Sequence, residues 1–357
     1  MYFYTNVYNR GNMIHFRGIK NGKKIIMKTE FQPTLFARTG KETGYTSLHG
    51  HNLDKIEFES INAAKDHINT YSEVSNYPIY GQTNFGYQFI TSQFPKQIEF
   101  DITQIKIVTI DIETSTEYGF PDPKLANEEV LLISVQDFNT KEITTFGCGD
   151  FNNTKPNVTY IQCSDEFELL KRFIAFIKAD YPDVITGWNV NLFDMPYLSN
   201  RIIKTLGESA LKDCSPFHLY WGRETNISNR EYVIFEWAGI AVLDYLDLYR
   251  KFSYKTQESY KLDHIAQEEL GKAKIKSPYA TFKEFYTNDW QLFVEYNIVD
   301  VELVDQLEDK MKLIELIMTM AYDAKCNYAD IFSPVRTWDC ILSVSYTHLT
   351  LPTILLV

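Results

Sequence analysis

The middle of the chain alternates between segments patterned as strands and segments patterned as helices. Residues 105–112 form an almost continuous apolar run rich in β-branched residues, which predicts a buried strand. Residues 131–137 and 143–146 also have strand character, and we expect them to be its antiparallel neighbours. Residues 164–179 place apolar side chains at helical spacing. This order of elements predicts an α/β sandwich.

A second group of strands and helices follows. Residues 184–188 predict a short apolar strand, and a helix is expected from about residue 194 to 206. Residues 231–238 are predicted to pair with the chain near Trp221, and residues 240–244 to form another strand. The remaining chain is predicted to be mainly helical.

The N-terminal segment has a different character. Residues 1–8 and 14–19 are predicted strands on either side of a polar turn, and residues 60–71 predict a short helix with Ser60 as its N-cap. This segment contains no evident catalytic constellation. We therefore expect a smaller α+β domain over residues 1–104 and a separate α/β domain after it.

Composition and charge narrow the class of protein. The chain has 357 residues, enough for two domains with substantial cores. A formal net charge of −12 argues against a protein that coats DNA non-specifically, because such proteins are usually basic. A metal-dependent nuclease remains compatible, since its cations neutralise phosphate. The five cysteines include no C-x-x-C pair, and we expect neither a disulfide framework, nor a signal peptide, nor a membrane span.

The first candidate site lies at the end of the predicted strand 105–112. Asp111 and Glu113 are two positions apart, so a strand would place both carboxylates on one face. Carboxylate oxygens suit hard divalent cations. The alternative is an ordinary solvated strand end, because an isolated D-x-E pair is common by chance.

Two further motifs carry acids. Asp194 ends the segment GWNVNLFD, which follows an apolar strand and opens a helix. The alternative for Asp194 is a simple N-cap, and the alternative for Asn189 is a simple turn residue. Tyr296 and Asp300 are four residues apart in the helix predicted over 289–310, and hence on one face. An ordinary helix face is the alternative there.

In combination these motifs resemble the three exonuclease motifs of the DEDD superfamily, tyrosine subclass. Hydrolysis of a phosphodiester requires neutralisation of charge on the attacking, leaving and non-bridging oxygens, which two divalent ions about 3.5–4 Å apart provide. The resemblance implies that two ions, Mg²⁺ or Mn²⁺, are held by Asp111, Glu113, Asp194 and Asp300. It implies that the hydroxyl of Tyr296 positions the attacking water.

Longer segments indicate the family. They are FQPTLF at 31–36, FPDP at 120–123, TGWNVNLFDMPYL at 186–198, LDYLDLYRKFSY at 243–254, SYKLDHIAQ at 259–267, YNIVDVELV at 296–304 and FSPVRTWDCI at 332–341. They resemble the family B replicative DNA polymerases of large tailed phages of the T-even type. The resemblance implies an RNase H-like exonuclease domain over 105–310, with a mixed central sheet and flanking helices. It also implies that about 311–343 completes the N-terminal domain.

The same resemblance implies contacts with DNA. Asn189 and Phe193 are expected to line the site or to hold the frayed 3′ end. Phe120 is expected to stack on a nucleotide, with simple packing as the alternative. Lys272 is the expected lysine that contacts the phosphate.

A β-hairpin is expected within residues 221–237, where it would help to separate a mismatched primer end from its template. Arg223 and Arg230 are candidate phosphate contacts in this hairpin. Ordinary solvated arginines are the alternative.

The resemblance ends near the C-terminus. Residues 344–357 alternate β-branched and polar residues and include Pro352, which is poor helix chemistry where the family continues as a helix. We interpret them as a non-native tail similar to a translated sequencing adapter, with a divergent natural terminus as the alternative. The palm motif, fingers and thumb of the family are not found in the chain, so we expect no nucleotide incorporation from it alone.

The expected function is the proofreading 3′→5′ exonuclease portion of a phage DNA-directed DNA polymerase. Its expected partners are the frayed 3′ end of primer–template DNA and, in the full-length protein, a sliding clamp and replisome proteins, with no membrane. The expected location is the cytoplasm of an infected bacterium. The alternatives are a non-catalytic module that binds single-stranded nucleic acid and a truncated gene product without an independent role.

Overall fold

A computed structural model of the chain describes residues 1–47, 49–227, 230–345 and 349–350. These residues belong to two compact units, one formed by Met1–Asp101 with Ile317–Val357 and the other by Ile102–Leu316. Of the segment whose pattern indicates a non-native tail, residues 346–348 and 351–357 lie outside the described residues. The origin of that tail therefore stays a prediction.

The first unit begins with strands and two helices. In chain order they are β1 (Tyr2–Arg10), β2 (Met13–Lys20), β3 (Lys23–Glu30), β4 (Thr34–Arg38), β5 (Thr46–Ser47), β6 (Leu53–Glu57), α1 (Ile61–Tyr71), β7 (Ile79–Tyr80) and α2 (Phe85–Gln93). Successive antiparallel pairing joins β1, β2 and β3, and β4 lies between β6 and β7. The hydroxyl of Ser60 accepts the N–H of Ala63, which confirms the predicted N-cap of α1.

The second unit contains most of the remaining elements. They are a 3₁₀ helix (Ile102–Gln104), β8 (Ile107–Thr114), β9 (Val130–Asp137), β10 (Ile143–Gly147), β11 (Val158–Gln162), α3 (Glu166–Ala179), β12 (Val184–Gly187), α4 (Asp194–Leu206), α5 (Glu208–Lys212), β13 (Tyr220–Ile227), β14 (Arg230–Trp237), β15 (Ala241–Asp244), α6 (Tyr245–Phe252), α7 (Leu262–Leu270), α8 (Phe282–Asn288) and α9 (Trp290–Met311). Within the described part of this unit, one mixed sheet has the strand order β11-β10-β9-β8-β12-β15. In it β9 is the antiparallel neighbour of β8, as predicted, but β10 pairs with β9 and not with β8, which corrects the second predicted neighbour. The other neighbour of β8 is the parallel strand β12, which in turn pairs in parallel with β15.

Alternate residues of the central strand β8 face two different cores. Val108, Ile110 and Ile112 pack with apolar side chains of α3 and α4. The opposite face of the sheet packs against α8 and α9. The mixed sheet with flanking helices confirms the predicted α/β class. Because successive side chains of a strand alternate in direction, Asp111 and Glu113 face the side of α9.

Helix α9 confirms the helix predicted over 289–310. The side chain of Asp289 caps it by accepting the N–H of Leu292 at 3.0 Å. Its buried face includes the polar residues Asn297 and Asp300 among apolar ones, which marks that face as unusual. Among the described residues, no helix has the combination of length and apolar character that a membrane span needs.

The chain returns to the first unit at Ile317, within α10 (Leu313–Ala324), and the part after α10 belongs to the same unit. This part comprises a 3₁₀ helix (Tyr328–Phe332), α11 (Pro334–Ser345) and β16 (Leu349–Thr350), and β16 pairs in parallel with β5. Asn327 donates to the carbonyl of Val7 at 2.7 Å and accepts the N–H of Val7 at 2.9 Å. The hydroxyl of Tyr4 donates to the carbonyl of Cys326 at 2.6 Å. These contacts join the returning chain to β1.

Candidate active site

Three of the predicted acids meet on the α9 side of the sheet. Asp111 and Glu113 extend from β8 and Asp300 from α9, and each offers a carboxylate oxygen within 4.8 Å of the other two. Asp300 is buried, whereas Asp111 and Glu113 are half-buried. Carboxylates at this separation repel one another unless protons or cations lie between them. Their oxygens therefore form a group suited to a divalent cation.

The fourth predicted acid, Asp194, borders this group. It is the first residue of α4, it is 4% exposed, and its Oδ1 accepts the N–H of Ile112 at 3.1 Å. Ile112 lies between Asp111 and Glu113, so this bond attaches Asp194 to the strand that carries them. The N-cap alternative is wrong, because Phe193 occupies the N-cap position and α4 has no side-chain cap.

A lysine that the sequence pattern did not single out lies among the acids. The ammonium of Lys274 forms a salt bridge with Asp300 and donates to the hydroxyl of Tyr296 at 3.1 Å. It also lies 4.8 Å from the centre of the Tyr296 ring. The backbone N–H of Lys274 donates to Asp263 of α7 at 2.8 Å, which fixes the position of the segment.

Lys272, the lysine predicted to contact the phosphate, forms its hydrogen bond away from the acids, and its contact with phosphate stays a prediction. The ammonium of Lys272 donates to Gln306 of α9, whereas Asp300 of the same helix pairs with Lys274. Residues 271–281 precede α8 and form no helix or strand, so no local period indicates which lysine faces the site. The hydrogen bond from the N–H of Lys274 to Asp263 determines which lysine lies beside the acids. This bond is a tertiary contact that the local sequence does not indicate.

Burial and crowding raise the pKa of all four acids. Desolvation raises the pKa of Glu113 to about 8, of Asp194 to about 7 and of Asp300 to about 6. Desolvation and then repulsion from the other acids hold the pKa of Asp111 well above its ordinary range. The group thus retains protons near neutral pH, and a divalent cation would displace them because it favours the ionised carboxylates.

Unpaired oxygens show that the residues fit a hard cation. Asp300 Oδ1 and Asn297 Oδ1 are buried and have no hydrogen-bond partner among the described residues. The amide of Asn297 donates to Asp111 Oδ2 at 2.7 Å, so Asn297 adjoins the same group. A buried carboxylate oxygen without a partner is unfavourable, and coordination of a cation would satisfy it. Asn297 lies one turn before Asp300, and this helical spacing is the signal that could have identified it.

Several of the predicted DNA contacts lie together in a cleft of about 480 Å³. Its lining residues include Phe120, Asn189, Phe193 and Arg230, and include none of the four acids. The side chain of Phe120 is 90% exposed, and its ring centre lies 6.3 Å from that of Phe193. Exposed aromatic rings beside a cleft are suited to stacking on bases.

The predicted hairpin is confirmed, and only part of it borders this cleft. Strands β13 and β14 pair in an antiparallel register, while residues 228 and 229 between them lie outside the described residues. Arg230 at the start of β14 lines the cleft. Arg223 is exposed on β13 opposite Ile234 and is not among the lining residues.

Comparison with known proteins identifies the family. Residues 80–265 match the exonuclease domain of DNA polymerase family B. The chain therefore belongs to DNA polymerase family B. The matched residues include Asp111, Glu113 and Asp194, whereas Tyr296 and Asp300 lie beyond them.

Related proteins include polymerases of phages and herpesviruses. The chain is 30% identical over 95% of its length to the DNA-directed DNA polymerase of Escherichia phage RB69, and 28% identical over 98% to that of Enterobacteria phage T4. It is 30% identical over 51% of its length to the DNA polymerase catalytic subunit of equine herpesvirus 1 (strain Ab4p), covering 15% of that protein. It spans 40% and 42% of the two phage proteins. The resemblance to T-even phage polymerases is confirmed, with the assignment to their exonuclease part.

Proposed function

We propose that this chain hydrolyses the 3′-terminal phosphodiester bond of single-stranded or frayed DNA, with two divalent cations, Mg²⁺ or Mn²⁺, held by its four acids. The observation that carries the proposal is the convergence of these acids with the Lys274–Tyr296 pair at one place on the sheet. The family match supports the same reaction. A binding module would have no need of several mutually repelling carboxylates at one point.

Each of the four acids would contribute to holding the ions. The bound cations would neutralise charge on the phosphate oxygens and lower the pKa of the attacking water. Asp111, Glu113 and Asp300 supply the close group of oxygens. Asp194 is held against the same strand by the N–H of Ile112, and we assign it the fourth carboxylate.

Tyr296 and Lys274 would position the reacting groups. Because the hydroxyl oxygen of Tyr296 accepts a bond from Lys274, its own proton points elsewhere and is available to the attacking water. The attacking water would release a proton to solvent as its oxygen bonds phosphorus, the bond from phosphorus to the 3′ oxygen of the preceding nucleotide would break, and that leaving oxygen would take up a proton from solvent. The product is a deoxynucleoside 5′-monophosphate. Lys274 lies beside Asp300, where its charge would attract the phosphate.

The finer structural assignments belong to the same proposal. We assign residues 105–310 to an RNase H-like exonuclease domain, and residues 1–104 with 311–343 to an N-terminal domain. The mixed sheet, antiparallel through β8, β9 and β10 and parallel through β12 and β15, supports the first assignment. The contacts between Asn327 and Val7 support the second.

The DNA end is proposed to enter the cleft, whose lining residue Phe193 directly precedes Asp194 in the chain. Asn189, Phe193, Phe120 and Arg230 would contact it there, and Arg223 would contact phosphate further along the hairpin. A sliding clamp, replisome proteins and the cytoplasm of an infected bacterium are the proposed partners and location, on the basis of the phage relatives.

The direct test uses the purified chain and a primer–template with a mismatched, labelled 3′ end. With Mg²⁺ the label should be released as the 5′-monophosphate, and EDTA or Asp111→Ala should abolish release. Glu268→Ala, which removes an exposed carboxylate of α7, serves as the matched control and should leave release unchanged. Binding of DNA without any metal-dependent release would favour the non-catalytic binding module instead.

A further inference from the structure

Asp244 is a buried carboxylate near the acids, and the proposed mechanism gives it no role. It is 1% exposed and is the last residue of β15. Its register partner on the parallel strand β12 is Gly187. The carboxyl ends of both strands therefore meet where the chain leaves β12 towards Asp194, at the edge where open α/β sheets bind ligands.

Three backbone N–H groups use both oxygens of Asp244. Oδ1 accepts from Leu246 at 3.0 Å, which caps helix α6, and from Asn189 at 3.0 Å. Oδ2 accepts from Asn191 at 2.9 Å. A single carboxylate thus joins the neighbouring strand to the loop of residues 188–193, which connects β12 to α4.

This loop has a conformation that requires support. Asn189 has a φ of 66°, in the left-handed region that non-glycine residues rarely adopt. Its carbonyl accepts the N–H groups of Leu192 and Phe193, both at 3.1 Å, so the turn closes on itself immediately before Asp194. Asp194 then bonds the N–H of Ile112. Movement of the loop would therefore move Asp194 relative to the other acids.

We propose that Asp244 is a positioning residue for the metal site, which sets the place of Asp194 through the amides of Asn189 and Asn191. The inference rests on the proposed nuclease function, since it takes Asp194 to be a metal ligand. Asp244 itself coordinates no cation, because its oxygens already accept three N–H groups. Partners of this kind behind a metal ligand typically account for 10–100-fold in metal affinity or activity.

Two substitutions distinguish the two roles of Asp244, which are to cap α6 and to accept the N–H groups of the loop. Asp244→Asn preserves size but turns one oxygen into a donor that faces an N–H group. Asp244→Ser retains a good N-cap for α6 and removes the contacts with the loop. Both variants should raise the Mn²⁺ dissociation constant measured by calorimetry by about 10–100-fold. Both should lower the rate of 3′ nucleotide release at a fixed metal concentration.

The control is Leu243→Val, which shortens a buried side chain of the same strand and preserves all three N–H bonds. All measurements are made well below the melting temperature of each variant. The control should lose stability with an unchanged Mn²⁺ dissociation constant. Wild-type metal affinity in folded Asp244→Asn and Asp244→Ser would overturn the inference, as would an equal loss of affinity in Leu243→Val.

A measurement on the wild-type chain covers the case in which neither variant folds. If Asp244, the loop and the metal site are coupled, Mg²⁺ should slow hydrogen exchange at the amides of Asn189 and Asn191, because coupling is reciprocal. Exchange at both amides that does not respond to Mg²⁺ would overturn the inference. Failure of the nuclease proposal is recognised separately, by a wild-type chain that binds Mn²⁺ but releases no nucleotide.

Discussion

Asp194→Asn is expected to stabilise the metal-free protein although it removes a ligand of the proposed site. Desolvation raises the pKa of Asp194 from 3.8 to about 7. One pKa unit corresponds to about 1.4 kcal/mol, so ionisation of this group destabilises the folded state by up to about 4 kcal/mol at pH 8. Asparagine does not ionise, and its Oδ1 can still accept the N–H of Ile112. Since the remaining acids adjust their protonation, we expect a gain of roughly 2–4 kcal/mol.

The sign of this effect fixes its pH dependence. A carboxyl group whose pKa is raised on folding favours the folded state below its ordinary pKa of 3.8, and this advantage is lost as the pH rises through about 7. The difference in stability between Asp194→Asn and wild type should therefore be small near pH 4. The difference should increase as the pH rises above 4 and become constant above about pH 7.

Urea unfolding in EDTA at pH 4.5, 6 and 8 measures the difference. Tryptophan fluorescence reports mainly on the second unit, because four of the five tryptophans lie there: Trp188, Trp221, Trp237 and Trp290. Glu268→Gln makes the same chemical change at an exposed position on α7 and should shift stability by less than about 0.5 kcal/mol.

Mg²⁺ should favour wild type over the variant, because a cation stabilises the folded state more strongly the more tightly that state binds it. The advantage of Asp194→Asn seen in EDTA should therefore shrink or reverse as Mg²⁺ is added. The reasoning is refuted if Asp194→Asn is less stable than wild type in EDTA at pH 8. A stability difference that does not change between pH 4.5 and 8 would refute it as well.

Three further substitutions test other parts of the site. Tyr296→Phe should slow nucleotide release by about 10–10³-fold, as expected for loss of one positioned polar group, while calorimetry shows unchanged Mn²⁺ affinity. Lys274→Met should reduce kcat/KM by about 10–100-fold, since a charged hydrogen bond is lost, whereas Lys272→Met should leave it unchanged. Equal effects would contradict the proposal that Lys274 is the lysine that attracts the phosphate. Gly187→Ala should lower the melting temperature, the free energy of unfolding by about 1–3 kcal/mol, and the activity. The reason is that the added Cβ would lie 2.5 Å from the carbonyl oxygen of Ile110 in β8, next to Asp111. Gly44→Ala, which meets open space, is the control, and equal melting temperatures would exclude the proposed close approach.

Local periods predicted which of the site residues share a face, and the family resemblance implied their role at a metal site. Asp111 and Glu113 occupy alternate positions of a strongly apolar strand, and Tyr296 and Asp300 one face of a long helix. Alternation of strands and helices likewise predicted the α/β class, whereas the mixed central sheet was implied by the family resemblance. Strand β11 escaped prediction because it is a five-residue edge strand after a polar loop, with too few residues to establish a period.

Residues whose roles arise from distant contacts were not predictable in this way. Lys274 lies in a segment without regular structure, and its selection over Lys272 depends on bonds to Asp263 and Asp300. Asp244 becomes important only through the parallel pairing of β12 with β15, 57 positions apart at Gly187 and Asp244. The local pattern gives Lys274 no regular period, and it shows Asp244 only as the polar end of an apolar strand.

The most direct test of the two-metal site is a crystal of the chain soaked with Mn²⁺ and a deoxynucleoside 5′-monophosphate, with anomalous scattering recorded for manganese. The account predicts two peaks about 3.5–4 Å apart among Asp111, Glu113, Asp194 and Asp300, with the phosphate beside them. Manganese bound only elsewhere, or no manganese at these four acids, would contradict it.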